Sequence, residues 1–209
     1  MSQSIENTIQ RRISGKGQGW VFSERDFVDV AGRSTVASAL HRLEKKGKIR
    51  PIIRGLYEYP KYSEVLGREL SADIDQVAKA LERKFGWRIQ PGGAMAANLL
   101  ALSTQVPARA VYLSDGPGRS YKVGNRTLVF EHTALKDARF KLRESGLAVH
   151  ALKFLGQKRI TPSVIEKLRR VFSPAIQKKI LADTTTATGW VRAAIQEMSN
   201  GKAADAESR

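Results

Sequence analysis

The sequence predicts an α+β chain of two folded parts, and three observations carry that expectation. Over about the first sixty residues, helix-period apolar stripes are broken at glycines and then give way to a two-strand hairpin pattern. From Asp73 to His132, short β-prone runs alternate with Pro/Gly turns and one strongly apolar helix. Beyond that, helical segments opened by proline dominate. With 209 residues and a 42% hydrophobic share, the chain has enough apolar material to bury real cores.

Ile5, Ile9 and Ile13 recur at i, i+4 and i+8, so they mark one face of a first helix that breaks at Gly15-Lys16-Gly17. Trp20-Val21-Phe22 is β-prone. Ser23 is placed to N-cap a brief helix through Val30, with Asp26 at the third position completing a capping box. Ser34 then reads as the cap of a third helix, whose buried stripe is Val36, Leu40 and Leu43 and whose αL terminator is Gly47. Lys48–Ile53 and Leu56–Tyr59 read as strands joined at Arg54-Gly55. Three short helices and a closing hairpin make the pattern of a winged helix-turn-helix domain, residues 1–62.

Lys61–Ala72 reads as a polar connector into a second, mixed α/β domain, residues 63–199. Ile74, Val77, Leu81 and Phe85 form a helical stripe, Trp87–Gln90 a short strand, and Pro91-Gly92-Gly93 a turn before the apolar helix AMAANLLAL. Ala110–Leu113 reads as a buried strand. Tyr121–Val123 and Thr127–Glu131 form a hairpin across Gly124-Asn125. Leu147–Leu155, a helix opened by Pro162 with Val164, Leu168 and Val171 facing inward, and another opened by Pro174 complete a helical C-terminal part. Residues 200–209 are small and polar and are expected to be disordered.

Lysine plus arginine number 36 against 20 acids, a net charge of +16, which suits a polyanionic partner such as nucleic acid, with an anionic membrane surface as the competitor. The excess is concentrated at the two ends: 12 basic and 6 acidic side chains in residues 1–62, 9 and 7 in 63–133, 15 and 7 in 134–209. Cysteine is absent, which removes disulfides and thiolate metal sites. MSQSIENTIQRR has no apolar secretory core and no run reaches membrane-spanning length, so the expectation is a cytoplasmic protein with no membrane association.

The cations around the third helix pose the functional question. Ser34, Thr35, Ser38, His41, Arg42, Lys45 and Lys46 lie opposite or beside its buried stripe, and Lys48, Arg50 and Arg54 sit in the hairpin. In a helix-turn-helix the second helix of the motif enters the major groove. Ser, Thr, His and Arg there donate to base edges, while hairpin cations reach flanking phosphates and draw affinity from counterion release. The ordinary alternative is a solvated cationic face. Arg169, Arg170, Lys178 and Lys179 are the candidate partner-binding residues of the C-terminal part, equally explained by solubility.

Enzyme signatures are weak. Gly116-Pro117-Gly118-Arg119-Ser120 lacks the Gly-Lys-Ser/Thr and following helix of a phosphate loop, so it reads as a turn. His41, His132 and His150 have no metal-ligand spacing. Glu131-His132 reads as an edge-strand pair, and Asp73 and Asp75 suit a helix N-terminus. No catalytic residue, metal or cofactor is expected.

The segments GWVFSERDF, ALHRLEKKGKIRPIIRGLYEYPK and GGAMAANLLALSTQVPARAVYLSDGP resemble the AbiEi-type antitoxins of type IV toxin–antitoxin systems, more closely a shorter branch of that group. The resemblance runs from about Ser4 to Leu181 and is most specific in GLYEYP and LSTQVP. It implies an N-terminal winged helix that represses its own operon and a C-terminal domain that counters a nucleotidyltransferase-like toxin without requiring a stable complex. Its DNA contacts transfer to the matching positions between Ser34 and Arg54. The expected function is therefore an autorepressor and antitoxin whose partners are double-stranded operator DNA, bound as a possible homodimer, and that toxin. The rival is a nuclease or nucleotide-modifying enzyme targeted by the winged helix, and a third reading is an RNA-binding module.

Overall fold

The computed structural model describes residues 2–133 and 140–200. The chain divides into two compact units, Met1–Ile89 with Arg119–Leu128 and Gln90–Gly118 with Val129–Arg209. The first unit therefore extends past Tyr62 and takes in a helix and a strand that the sequence pattern assigned to the second domain.

In the first unit, α1 (Ser2–Lys16) lays Ile9 and Ile13 into the core. After β1 (Val21–Phe22), a 3₁₀ turn at Glu24–Phe27 is closed by the expected capping box: the Asp26 carboxylate accepts from Ser23 N–H at 2.8 Å and Ser23 Oγ accepts from Arg25 N–H at 3.3 Å. α2 (Arg33–Lys45) buries Val36, Ala39, Leu40 and Leu43 completely. Its cap differs from expectation. Gly32 is the N-cap and has no side chain to give a hydrogen bond; the helix starts two residues earlier than a Ser34 cap would set it and leaves Ser34 in the first turn. Gly47, at φ +65°, ends the helix in the left-handed region.

β2 (Arg50–Ile53) and β3 (Leu56–Glu58) turn at Gly55, φ +74°. The sheet order is β1-β3-β2, with β3 antiparallel to both neighbours: Val21 and Arg50 each oppose Glu58, and Phe22 and Pro51 each oppose Tyr57. Phe22 and Phe27 meet edge-on at 5.6 Å at the centre of this core.

The segment 61–72 is not a bare connector. β4 (Tyr62–Ser63) and β5 (Arg68–Glu69) pair as a small antiparallel hairpin, too short to leave an alternating signature. α3 (Ile74–Phe85) follows, capped by Asp73, whose carboxylate accepts from Asp75 N–H at 2.8 Å and Gln76 N–H at 3.0 Å. Ile74, Val77 and Leu81 are buried as their spacing predicts, but Phe85 is 36% exposed. Arg83 fastens α3 to the first unit, donating to Asp26 Oδ1 and to Val21 O, each at 2.7 Å.

β6 (Ile89–Pro91), α4 (Gly93–Leu99), β7 (Arg109–Ser114), β8 (Arg119–Val123) and β9 (Arg126–His132) come next, with strand order β6-β7-β9-β8. β8 and the start of β9, through Leu128, belong to the first unit. In the second unit, α5 (Arg143–Leu155) lies against α4, and α6 (Pro162–Val171), α7 (Pro174–Asp183) and α8 (Gly189–Asn200) complete its core around Leu100, Leu152, Leu168, Ile180 and Ile195. α6 turns Ile165 and Leu168 inward; Val171, expected in the core, is 47% exposed, because Phe172 takes the inward position at the helix end. Asn200 closes α8, and the rest of the expected tail lies outside the described residues. Among the described residues no helix is long and apolar enough to cross a membrane.

Candidate nucleic-acid interface

α2 presents a stripe of Ser34, Ser38, His41 and Lys45, all exposed, at i, i+4, i+7 and i+11. The stripe exists because Val36, Leu40 and Leu43 claim the other face. Thr35 is half-buried at its flank, and His41 Nδ1 lies 3.8 Å from the Glu44 carboxylate. Lys48 and Arg54 are also exposed, Arg54 at the turn between β2 and β3.

The remaining three expected contacts are tied up within the fold. Glu6, 2% exposed on α1, accepts from Arg42 Nε at 2.8 Å and from Lys46 Nζ at 2.5 Å. The Lys46 bond, followed by the Arg42 bond, holds the Glu6 carboxyl below its ordinary pKa. Arg50 grips Glu58 (2% exposed) with Nη2 at 2.6 Å, reaches Glu69 with Nη1 at 2.8 Å and donates to Leu70 O. Burial pushes the Glu58 carboxyl upward, and Arg50 opposes that shift. Glu6, Glu58 and Glu69 are partners the sequence pattern did not identify.

Two further cations stand beside this face without having been singled out from the sequence. Arg33, at the first position of α2, is 89% exposed and pairs with Glu24 at 3.1 Å. Lys84, near the end of α3, donates to the carbonyls of Arg54 at 3.3 Å and Gly55 at 3.1 Å, bracing the β2–β3 turn. Desolvation lowers the Lys84 pKa, Glu24 works against that shift, and the positive fields of Arg33 and Arg54 add to it. The only sequence signal for Lys84 is its place in the basic end of an amphipathic helix.

In the second unit, Arg169 donates to Met198 O at 3.2 Å and to Glu197 O at 2.7 Å, satisfying carbonyls at the end of α8. Arg170 pairs with Glu166 at 3.4 Å, while Lys178 and Lys179 are exposed on α7. His132 Nδ1 lies 2.9 Å from Gly116 O, and the Gly116–Gly118 turn runs into β8 rather than into a helix. His150 lies 3.2 Å from Gln90 Oε1, its pKa lowered by burial. Among the described residues no group of three or more His, Asp or Glu side chains is placed to hold a metal ion.

No curated protein matches the chain. Residues 8–180 match the model of a family of unknown function, DUF6088, and that match covers most of the sequence: the chain belongs to this family.

Proposed function

We propose that the protein is a winged-helix regulator that binds duplex DNA in a sequence-dependent way, with α2 in the major groove and the β2–β3 hairpin as the wing. The observation that carries the reading is the unshielded stripe Ser34, Ser38, His41 and Lys45 on α2, backed by a fully buried opposite face. The element order α1-β1-3₁₀-α2-β2-β3 and the sheet order β1-β3-β2 support it, since a helix followed by a hairpin that closes a three-stranded sheet is what such a domain requires. The net charge of +16 supports it further, because phosphate neutralisation drives such binding.

On the resemblance to AbiEi-type antitoxins, the proposed context is repression of the protein's own operon. The second unit would counter a nucleotidyltransferase-like toxin, with no stable complex required. The reading needs no catalytic residue and no cofactor. It is tested by titrating the full chain onto a duplex taken from immediately upstream of its own gene and onto a scrambled duplex. Preference for the upstream duplex, with log K falling against log salt at a slope of about −4 to −5 for about five phosphates, supports it. Equal affinity for the two duplexes, or a slope near zero, refutes it.

A further inference from the structure

Phe85 is an aromatic side chain left in solvent at the end of an otherwise well-buried helical stripe. It stacks on Trp87, with ring centroids 4.6 Å apart and planes 21° from parallel. Over this pair, from β8, lies the Arg119 guanidinium, its Cζ 5.2 Å from the Phe85 centroid and 5.5 Å from the Trp87 centroid. Arg119 is exposed, and among the described residues it lies against these two rings and pairs with no carboxylate. The arrangement differs from that of Arg50, Arg42 and Arg83 in the same unit, each of which is neutralised by an acid.

We propose that Arg119, held against the stacked Phe85 and Trp87 rings, is a phosphate-binding station that extends the DNA footprint beyond the wing. A guanidinium on an aromatic face keeps its charge and its N–H edge while losing rotamer freedom, so it is pre-organised for a phosphodiester. The neighbouring charges favour that partner. Lys84 Nζ lies 5.8 Å from the same Phe85 centroid and is bonded to the carbonyls of Arg54 and Gly55, so wing turn, Lys84 and Arg119 form one connected cationic edge. The proposal rests on the duplex-binding reading above, and it means that α3 and β8 act with the wing rather than as part of a separate effector domain.

The test measures binding of the full chain to a mixed-sequence duplex of about 20 base pairs, two helical turns, by fluorescence anisotropy across a potassium chloride series. Arg119→Gln is expected to bind several-fold more weakly at low salt and to reduce the magnitude of the salt slope by about 0.9, the loss of one phosphate. Arg119→Lys keeps the charge but not the guanidinium's fork of donors, so the slope should stay while affinity falls. Lys122→Gln removes the same charge from the other face of β8 and should leave the slope within half of that change. An Arg119→Gln slope equal to the wild-type slope overturns the station, as does a Lys122→Gln loss of equal size or an Arg119→Lys protein that binds like wild type. A wild-type chain with no affinity for duplex overturns both this station and the proposed function, which separates the two failures.

Discussion

Arg42 Nε donates to Glu6 Oε2 at 2.8 Å, joining residues 36 positions apart. α2 is thereby fastened to α1 through one of the cations that, from the sequence, belonged to its DNA face. With Lys46 on the other oxygen, the buried carboxylate has both of its oxygens satisfied.

Glu6→Gln should therefore destabilise the protein by about 1–3 kcal/mol at neutral pH, the cost of weakening charge-assisted bonds at a buried acceptor. The folded-state pKa of Glu6 is lowered, so its contribution is complete above the unfolded value of about 4.3 and is lost as pH falls through the folded value. Urea denaturation of both proteins across the acid range checks this. The gap should be widest at neutral pH and narrow in acid; a gap that stays constant with pH would show that charge has no part in it.

Arg50 likewise holds a buried carboxylate, although the Glu58 pKa is shifted up rather than down. Arg50→Ala leaves Glu58 buried without its guanidinium and should cost about 3 kcal/mol. Because burial already raises the Glu58 pKa, the deficit should be largest when pH is above the folded value and shrink when acid protonates the side chain. Arg54→Ala, on an exposed turn, should change stability by less than about 0.5 kcal/mol. Thermal or denaturant midpoints for the two variants at neutral and acid pH decide it.

In the second unit, α4 and α5 approach closely at Gly93, where an added Cβ would lie 2.7 Å from Phe154 Cβ. Because that neighbour is the first atom of its side chain, no rotamer change removes the clash, and Gly93→Ala should cost about 1–3 kcal/mol. Gly124→Ala meets no neighbouring atom within 4 Å but must keep φ +59°, so its cost comes from backbone strain alone and should be about 1 kcal/mol. Equilibrium denaturation of both variants checks the ranking.

What the sequence made legible was local. The Ser23–Asp26 capping box, the Val36-Leu40-Leu43 stripe, the αL termination at Gly47 and the Pro162 helix start each depend on neighbours within a few residues, so spacing alone specifies them. The β4–β5 hairpin escaped because two-residue strands have no period to read. The ion pairs of Arg42, Lys46 and Arg50 are not legible in the sequence, because the acids that neutralise them, Glu6, Glu58 and Glu69, come from other elements. The Phe85–Trp87–Arg119 cluster likewise joins α3, the residues just after it and β8, and only the folded chain brings them together.

The most direct test of the central claim compares wild type, His41→Ala and Arg54→Ala on the upstream duplex and on its scrambled counterpart. His41 stands on the exposed α2 stripe and Arg54 at the β2–β3 turn. If α2 reads bases, His41→Ala should lose about 1–3 kcal/mol on the upstream duplex and little on the scrambled one. Arg54→Ala should weaken both alike. Uniform loss from His41→Ala, or a wild type that does not distinguish the two duplexes, would contradict the placement of α2 in the major groove.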